Sequence, residues 1–481
     1  MSAGFILFLV TSAVALLLFL VLKLKISAFI SLLITAIYVG LLSGMAPDAV
    51  LKSIQEGMGS TLGFVATVVG LGAIFGQILE SSGGAEALAH TLVRRFGIEK
   101  APWAMVITGF IVAIPVFFDV GFIILVPIVY ALARDTRRSL LYYAIPLLAG
   151  LAATHTFVPP TPGPVAVADI INAQLGWVIL FGILLGIPTA IIAGPLWGSY
   201  ISRKIFLVPP TGGEPPHTVK SEETGGAPHP SPTGDSRENK ATEGQTGDLS
   251  TRDLPSFSLI ASLIGIPLFL ILLNTLTGVL VDKEVIGASL VTDGIRFLGH
   301  PFSALIVATL LAIWLLGIRR GLSRQALLEL SNKALGPAGI IILITGAGGV
   351  LKQILVDSGM GRMMAESIAG SPLSPILLAW ILAAIVRITQ GSATVAMITA
   401  AGIIAPVLEL LDLSDPIRAL VVIAIASGAT ILSHVNDSGF WLVGKYLGMN
   451  EKDTLRSWTV METIIAVCGL LFSLLASLFF K

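Results

Sequence analysis

The sequence predicts an all-α polytopic membrane protein: an inverted repeat of two five-helix units, each with a re-entrant hairpin and a broken helix, making about ten transmembrane crossings. Composition is the first observation, because 55% of the residues are hydrophobic and 12% are charged, whereas soluble domains carry roughly 25% charged residues. The second is that apolar runs of about 20 residues, enough to cross a bilayer, recur along the chain. The third is a motif that the two halves share.

The shared motif stands at residues 70–83, GLGAIFGQILESSG, and again at 346–359, GAGGVLKQILVDSG. Seven of the fourteen aligned positions are identical. Farther along the chain, Gly150 corresponds to Gly428 at nearly the same offset. Two matches at one offset indicate a duplicated unit rather than a chance similarity.

Composition also divides the chain into three parts. The first membrane repeat is predicted over residues 1–207 and the second over 256–481. Residues 208–255 are rich in Pro, Gly, Ser, Thr and acidic side chains, and such a segment buries too little apolar surface to fold, so it is predicted to be a disordered linker. The first apolar run, 4–22, is too long for a signal peptide and has no cleavage site after it, so we expect a retained span.

Several classes of function are not supported by the residues. The formal net charge is zero, which argues against a nucleic-acid partner. A single cysteine, Cys468, allows no intramolecular disulfide. The sequence has no phosphate-binding GxxxxGK[ST] loop and no Cys/His set with zinc spacing, so we expect no cofactor, no metal site and no enzymatic activity.

The basic residues predict the topology. Placing their clusters in the cytoplasm puts the linker there too and both termini on the periplasmic side. The clusters are Lys23/Lys25, Arg94/Arg95/Lys100, Arg134/Arg137/Arg138, Arg203/Lys204, Arg319/Arg320/Arg324 and Lys445/Lys452.

The apolar runs then give five crossings in each half, and because five is odd the halves are predicted to be inverted. Segment 101–133 is too long for one crossing and has basic residues at both ends, so we expect a re-entrant hairpin, with 376–412 as its counterpart. The predicted crossings are 3–22, 26–44, 57–80, 140–172 (broken) and 176–200, then 257–280, 301–318, 335–356, 417–446 (broken) and 458–480.

This layout is typical of secondary transporters, whose substrate site lies at the midplane where the repeats meet. A channel, a structural membrane protein or a membrane sensor are the alternatives. Non-helical backbone at membrane depth costs several kcal/mol for each unsatisfied group. Four breaks in otherwise apolar segments therefore mark the predicted pathway.

Two of the breaks lie in the first half. Asp119, at the tip of the first hairpin, is an acid within an apolar run, which indicates a proton-coupling role; an N-cap for the next helix is the alternative. The second break is the proline-rich stretch 154–164. There Thr161 and Gly163 are predicted to bind an anion at a half-helix N-terminus. His155 is either a proton carrier or a hydrogen-bonded core histidine.

The third break is the predicted tip of the second hairpin. Gly391, Ser392 and Thr394 are predicted to bind the substrate through free amides and hydroxyls, which would suit a sodium ion equally well. Arg387 lies just before them, and a buried arginine is costly in lipid unless it is paired. It is predicted to hold the substrate carboxylate or to pair with an acid such as Asp119 or Asp437.

The fourth break is the polar stretch SHVNDSGFW at 433–441. So many polar side chains at membrane depth are not explained by packing. Asn436 and Ser438 are candidate substrate ligands, and Asp437 and His434 are candidate proton carriers.

The segments FFDVGFIILVPIV, THTFVPPTPGP, GSATVA and SHVNDSGFW resemble signatures of the gluconate:proton symporter (gluconate permease) family. The resemblance covers nearly the whole chain apart from the linker. Asp119 fits the acidic residue of the family's first tip, while Thr161 stands after the proline pair where family members often have histidine.

The resemblance implies a scaffold domain and a transport domain that carries two re-entrant hairpins. It also implies import of gluconate, related sugar acids, hydroxy acids or D-serine, driven by the proton gradient across the bacterial inner membrane. A homodimer formed through the scaffold is a further expectation. The alternatives are a sodium-coupled carboxylate transporter and a D-serine permease of the same fold.

Overall fold

The computed structural model describes residues 3–209, 254–360 and 374–480. Within these ranges every regular element is helical. Eight of the helices there are long and apolar enough to cross a membrane, which confirms the prediction of an all-α polytopic membrane protein. Residues 210–253, the greater part of the predicted linker, lie outside the described residues.

The helices of the first half keep the predicted order. They are α1 (Ala3–Leu18), α2 (Ala28–Leu42), α3 (Pro47–Ser81), α4 (Gly84–Phe96), α5 (Ala101–Val112), α6 (Phe118–Thr136), α7 (Leu141–Phe157), α8 (Pro162–Ile170), α9 (Leu175–Ile191) and α10 (Trp197–Ile201). A π-helical turn, Ile192–Leu196, joins α9 to α10, so these two form one membrane span.

The described helices of the second half again include one very long helix, Arg324–Asp357, that precedes a pair of shorter ones. They are α11 (Phe257–Asp282), α12 (Leu290–Leu298), α13 (Pro301–Ala312), α14 (Arg324–Asp357), α15 (Pro375–Gln390), α16 (Ala393–Leu410), α17 (Asp415–Gly428), α18 (Ser438–Leu447), α19 (Glu451–Thr454) and α20 (Val460–Ser477). The π-helical turn Leu455–Thr459 makes α19 and α20 continuous.

The two longest helices, α3 and α14, pack against each other over much of their length. Glycine allows this approach: a Cβ on Gly57 would lie 2.7 Å from Gly349 O, and one on Gly349 would lie 2.0 Å from Thr61 Oγ1. Small residues at a helix interface let backbones approach closely, as is common between membrane helices.

The same kind of close contact recurs in each half where a hairpin arm meets the first part of a broken helix. Helices α5 and α7 touch through Gly150, whose Cβ would lie 2.3 Å from Val106 O. Helices α15 and α17 touch through Gly428, whose Cβ would lie 2.4 Å from Trp380 O. These are the two glycines that the internal repeat aligns, which supports duplication; the inverted orientation of the halves stays a prediction.

Helices α7 and α17 form the centre of the molecule. Almost every side chain of α7 is buried, and so is the second half of α17. A helix that is apolar on all sides is buried on all sides. Each of these central helices ends at one of the predicted breaks.

The structure differs from the predicted spans at several helix starts. Helices α3 and α14 begin at Pro47 and Arg324, about three turns before the predicted 57 and 335. Hydropathy marks only the part of a helix that suits lipid, whereas Pro at the first position of α3 and the Ser323 cap of α14 mark the true starts. Helices α4 and α12 were not predicted because they are too short and polar to cross a membrane.

Candidate functional site

A cavity of about 610 Å³ lies where both hairpin tips meet the second broken helix. Residues from α6, α7, α14, α15, α16, α18 and α20 line it, so elements from both halves contribute. Nine of the predicted site residues line this cavity: Asp119, His155, Arg387, Gly391, Ser392, Thr394, Asn436, Asp437 and Ser438.

The first hairpin tip is the break between α5 and α6. It packs tightly against α3, because a Cβ on Gly76 would lie 1.9 Å from Pro115 O. Phe117, not Asp119, is the N-cap of α6, so the N-cap interpretation of Asp119 is wrong. Asp119 lies in the first turn with its side chain exposed to the cavity, where the helix dipole favours a negative charge.

The second hairpin tip is a tight turn between α15 and α16. Gly391 has a φ of +91°, and a Cβ there would lie 2.2 Å from Asn436 O, so only glycine fits this approach. Ser392 caps α16 by accepting a hydrogen bond from the amide of Val395 at 3.4 Å. The tip is therefore held against the second broken helix by backbone contact.

Asp437 is the N-cap of α18 and a junction between three elements. Its carboxylate accepts hydrogen bonds from the amide of Gly439 at 3.1 Å, from Ser433 Oγ at 2.5 Å and from Arg387 Nη2 at 2.5 Å. Ser433 in turn accepts a hydrogen bond from Trp458 Nε1 at 2.7 Å. The sequence-based alternative of an Arg387–Asp437 ion pair is thus what the structure shows.

Arg387 keeps part of its hydrogen-bonding capacity free. Its side chain is 4% exposed, and the Nε and Nη1 atoms are buried with no hydrogen-bond partner among the described residues. Unpaired buried donors on a charged group are costly. Because Arg387 lines the cavity, its two unpaired guanidinium donors are chemically suited to an oxyanion that reaches them.

Two further residues of the fourth break hold it against the second tip. Asn436 Nδ2 donates to Ile388 O at 3.1 Å, and His434 Nε2 lies 3.1 Å from the same oxygen. Asn436 also lines the cavity, whereas His434 does not. Ser438 is exposed to the cavity at the start of α18.

The proline-rich break of the first half lies apart from the large cavity. Thr161 is buried and its hydroxyl donates to Val158 O at 2.7 Å. It lines a separate cavity of only about 10 Å³. Gly163 is covered by Met397, whose Sδ would lie 2.7 Å from a Cβ at this position.

His155 is the member of the first broken helix that does reach the large cavity. Its ring centroid lies 6.2 Å from that of Phe117 at the first tip. Its Nδ1 atom is buried with no hydrogen-bond partner among the described residues, so the interpretation as a hydrogen-bonded core histidine does not hold for that nitrogen.

Sequence reasoning missed Glu462, which lines the cavity from α20 and is 4% exposed. It is the only charged residue between 458 and 480, so the signal that identified Asp119, an acid within an apolar run, was present here too. The structure also adds Gln390 and Trp458 to the lining. In the described ranges there is no group of three or more His, Cys, Asp or Glu side chains placed to hold a metal ion.

The model of the GntP family permease matches residues 5–228 and 229–479, which is nearly the whole chain. A gluconate permease of Pseudomonas aeruginosa is 42% identical over 465 residues, covering 95% of this chain and 94% of that protein. The low-affinity gluconate transporter of Escherichia coli K12 is 41% identical, with 96% of each chain covered. The Gnt-II system L-idonate transporter of the same organism is 38% identical, with 97% of each covered.

Among solved structures, the YdaH transporter of Alcanivorax borkumensis is similar with a TM-score of 0.57. The superposition covers 92% of this chain and 96% of that one at 12% sequence identity. At that identity the similarity concerns the fold alone.

Proposed function

This chain belongs to the GntP permease family, a family of transporters rather than enzymes, and we propose that it imports gluconate or a closely related sugar acid by proton symport. The gluconate permeases and transporters among its relatives support this substrate class. The L-idonate transporter among them supports the same chemistry, a carboxylate on a polyhydroxylated chain.

The observation that carries the proposal is the pair of buried, unpaired donors on Arg387, a residue that lines the large cavity. In the proposed complex the substrate carboxylate accepts hydrogen bonds from Nε and Nη1, a charge-assisted contact. The hydroxyl chain of the sugar acid then lies along the polar lining. Its proposed partners are Ser392, Thr394, Asn436 and Ser438, with the free amides near Gly391.

Proton coupling follows from the charges of the cavity. Among the described residues that line the cavity, Arg387 is the only cation, and the acids are Asp119, Asp437 and Glu462. An anionic substrate adds to an excess of carboxylates, and proton binding offsets the resulting repulsion. Among the residues predicted to carry the proton, Asp119, Asp437 and His155 line the cavity, whereas His434 is hydrogen-bonded outside it.

The remaining parts of the proposal concern the surroundings of the site. The protein is a multi-pass membrane protein, and we place it in the bacterial inner membrane with the linker in the cytoplasm and both termini in the periplasm. The α3–α14 pair belongs to the proposed scaffold, and both hairpins belong to the moving part. A homodimer forms through the scaffold in this arrangement.

The experiment is uptake of labelled gluconate into proteoliposomes with an imposed inward proton gradient and no sodium. The expected result is accumulation that a protonophore abolishes. A one-unit pH gradient supports an accumulation ratio of up to about tenfold for each coupled proton. Uptake that requires sodium and is insensitive to the protonophore would contradict proton symport. Absence of uptake for every sugar acid tested would contradict the substrate class.

A further inference from the structure

We propose that Glu462 is the proton-binding site that couples substrate entry to the proton gradient, a proposal that rests on the proton symport of the proposed function. Glu462 lies on α20 and lines the large cavity. It differs from the other two acids of the cavity in burial and in partners.

Contacts with the broken stretch between α17 and α18, residues 429–437, fix the position of Glu462. Four residues earlier, Trp458 donates its indole hydrogen bond to Ser433, which donates to Asp437. Thr430 Oγ1 lies 3.4 Å from the backbone oxygen of Glu462. The face of α20 that carries Glu462 is therefore anchored to the stretch between α17 and α18.

The charged and titratable groups that face Glu462 come from four neighbouring elements. The charges of Arg387 on α15 and of Asp437 at the start of α18 act directly on its carboxyl. Asp119 on α6 and His155 on α7 line the same cavity. Helix α9 has no titratable residue, and those of α17 lie in its first turns, at the end away from the cavity.

The three acids of the cavity differ in the contacts that protonation would break and in the burial of the charge that it would remove. Asp437 accepts three hydrogen bonds, one of them from Arg387, so a proton there would break a buried ion pair. Asp119 is exposed to the cavity. Glu462 is 4% exposed, and the described residues give its carboxyl no hydrogen bond. A proton on Glu462 removes a buried charge without breaking any contact.

Coupling follows because Arg387 and Glu462 line the same cavity and, in the proposed complex, Arg387 also holds the substrate carboxylate. An ionised Glu462 competes for the guanidinium and repels the substrate carboxylate. A proton from the outer aqueous phase, bound to a carboxylate oxygen of Glu462, leaves the two free donors of Arg387 to the substrate. When the site opens to the cytoplasm, release of the proton ionises Glu462 again. The ionised carboxylate then competes for Arg387 and favours release of the substrate.

The test compares Glu462→Gln with the wild-type protein in two assays on the same proteoliposomes. Glutamine has the shape of the protonated acid, so counterflow exchange of gluconate at equal pH should persist. Accumulation driven by the pH gradient should be lost, and the ratio of internal to external gluconate should fall to one. Asp169→Asn, a carboxyl-to-amide change outside the large cavity, is the matched control and should keep both activities.

The possible outcomes separate the role of Glu462 from the proton symport on which it rests. Wild-type-like accumulation by Glu462→Gln would overturn the assignment of Glu462 alone. Loss of both exchange and accumulation in a variant that folds and inserts would overturn it too, because the residue would then serve substrate binding. Failure of the wild-type protein to accumulate gluconate under the pH gradient would overturn the symport itself.

A second variant keeps the proposal testable if Glu462→Gln does not fold. Glu462→Asp retains a carboxyl but withdraws it by one methylene. The pH at which gluconate binding weakens should shift in this variant. The control Asp415→Asn, a carboxyl-to-amide change in the first turn of α17 outside the large cavity, should retain the wild-type profile. An unchanged profile in Glu462→Asp would contradict the proposal.

Discussion

The two broken helices occupy corresponding places in the two halves, yet they differ in what they present to the interior. The break between α7 and α8, residues 158–161, is packed and buried throughout. The break between α17 and α18, residues 429–437, opens into the large cavity and contributes Thr430, Asn436 and Asp437 to its lining. The first break is packed within the protein, whereas the second is part of the wall of the cavity.

The difference follows from how each sequence satisfies the backbone that a break exposes. Proline at 159 and 160 has no amide hydrogen to satisfy, and the Thr161 hydroxyl satisfies Val158 O within the break. The break of the second half, residues 429–437, has no proline and is held by hydrogen bonds of polar side chains instead. The two halves therefore place a break at corresponding positions, but the cavity-lining polar side chains of the two breaks belong to the break of the second half.

The largest effect is expected from Asp437→Asn, which breaks the contact at the centre of the open break. Asparagine also caps helices well, so α18 should still begin at Ser438. Removing one partner of a buried ion pair costs about 3–5 kcal/mol, because Arg387 is then left as a buried charge without its carboxylate. Gradient-driven gluconate uptake should vanish and the thermal unfolding midpoint should fall, while the protein still inserts into the membrane.

The control for this variant is Asp415→Asn, an acid in the first turn of α17 that is hydrogen-bonded to Gln174 outside the large cavity. Its uptake should stay near the wild-type value. If Asp437→Asn accumulated gluconate as the wild-type protein does, Asp437 would have no part in the mechanism.

A smaller effect, and a direct contrast between the two regions, is expected from alanine at two glycines. Gly391→Ala forces a left-handed conformation on an L-residue, at about 1–2 kcal/mol, and drives a Cβ into Asn436 O. Gly163→Ala meets only the flexible side chain of Met397, which can move aside. The KM for gluconate uptake should rise about tenfold or more in the first variant, about 1.4 kcal/mol in binding.

In Gly163→Ala the KM should change by less than about twofold, since methionine side chains adapt to new neighbours. Equal effects at the two positions would mean that the packed break and the open break contribute alike, and the contrast drawn between them would fail.

The places of the four breaks could be predicted from sequence because proline, glycine and polar clusters act locally. Asp119, Arg387 and Asp437 could be found in the same way, as charges within apolar runs. Which of the breaks faces the cavity could not be predicted, because it depends on residues far away in the sequence. Met397 of α16 covers Gly163, and α20 brings Glu462 to the cavity. His434 stands at a predicted position but contacts the hairpin backbone instead.

The central claim is that gluconate occupies the open break of the second half and not the packed break of the first. The chain has one cysteine, Cys468, so a Cys468→Ser background allows single-cysteine labelling with a thiosulfonate reagent. Ser438→Cys should react, and gluconate should slow the reaction, whereas Thr161→Cys should stay unreactive with or without gluconate. Protection of Thr161→Cys by gluconate, or a rate at Ser438→Cys that gluconate leaves unchanged, would contradict the account.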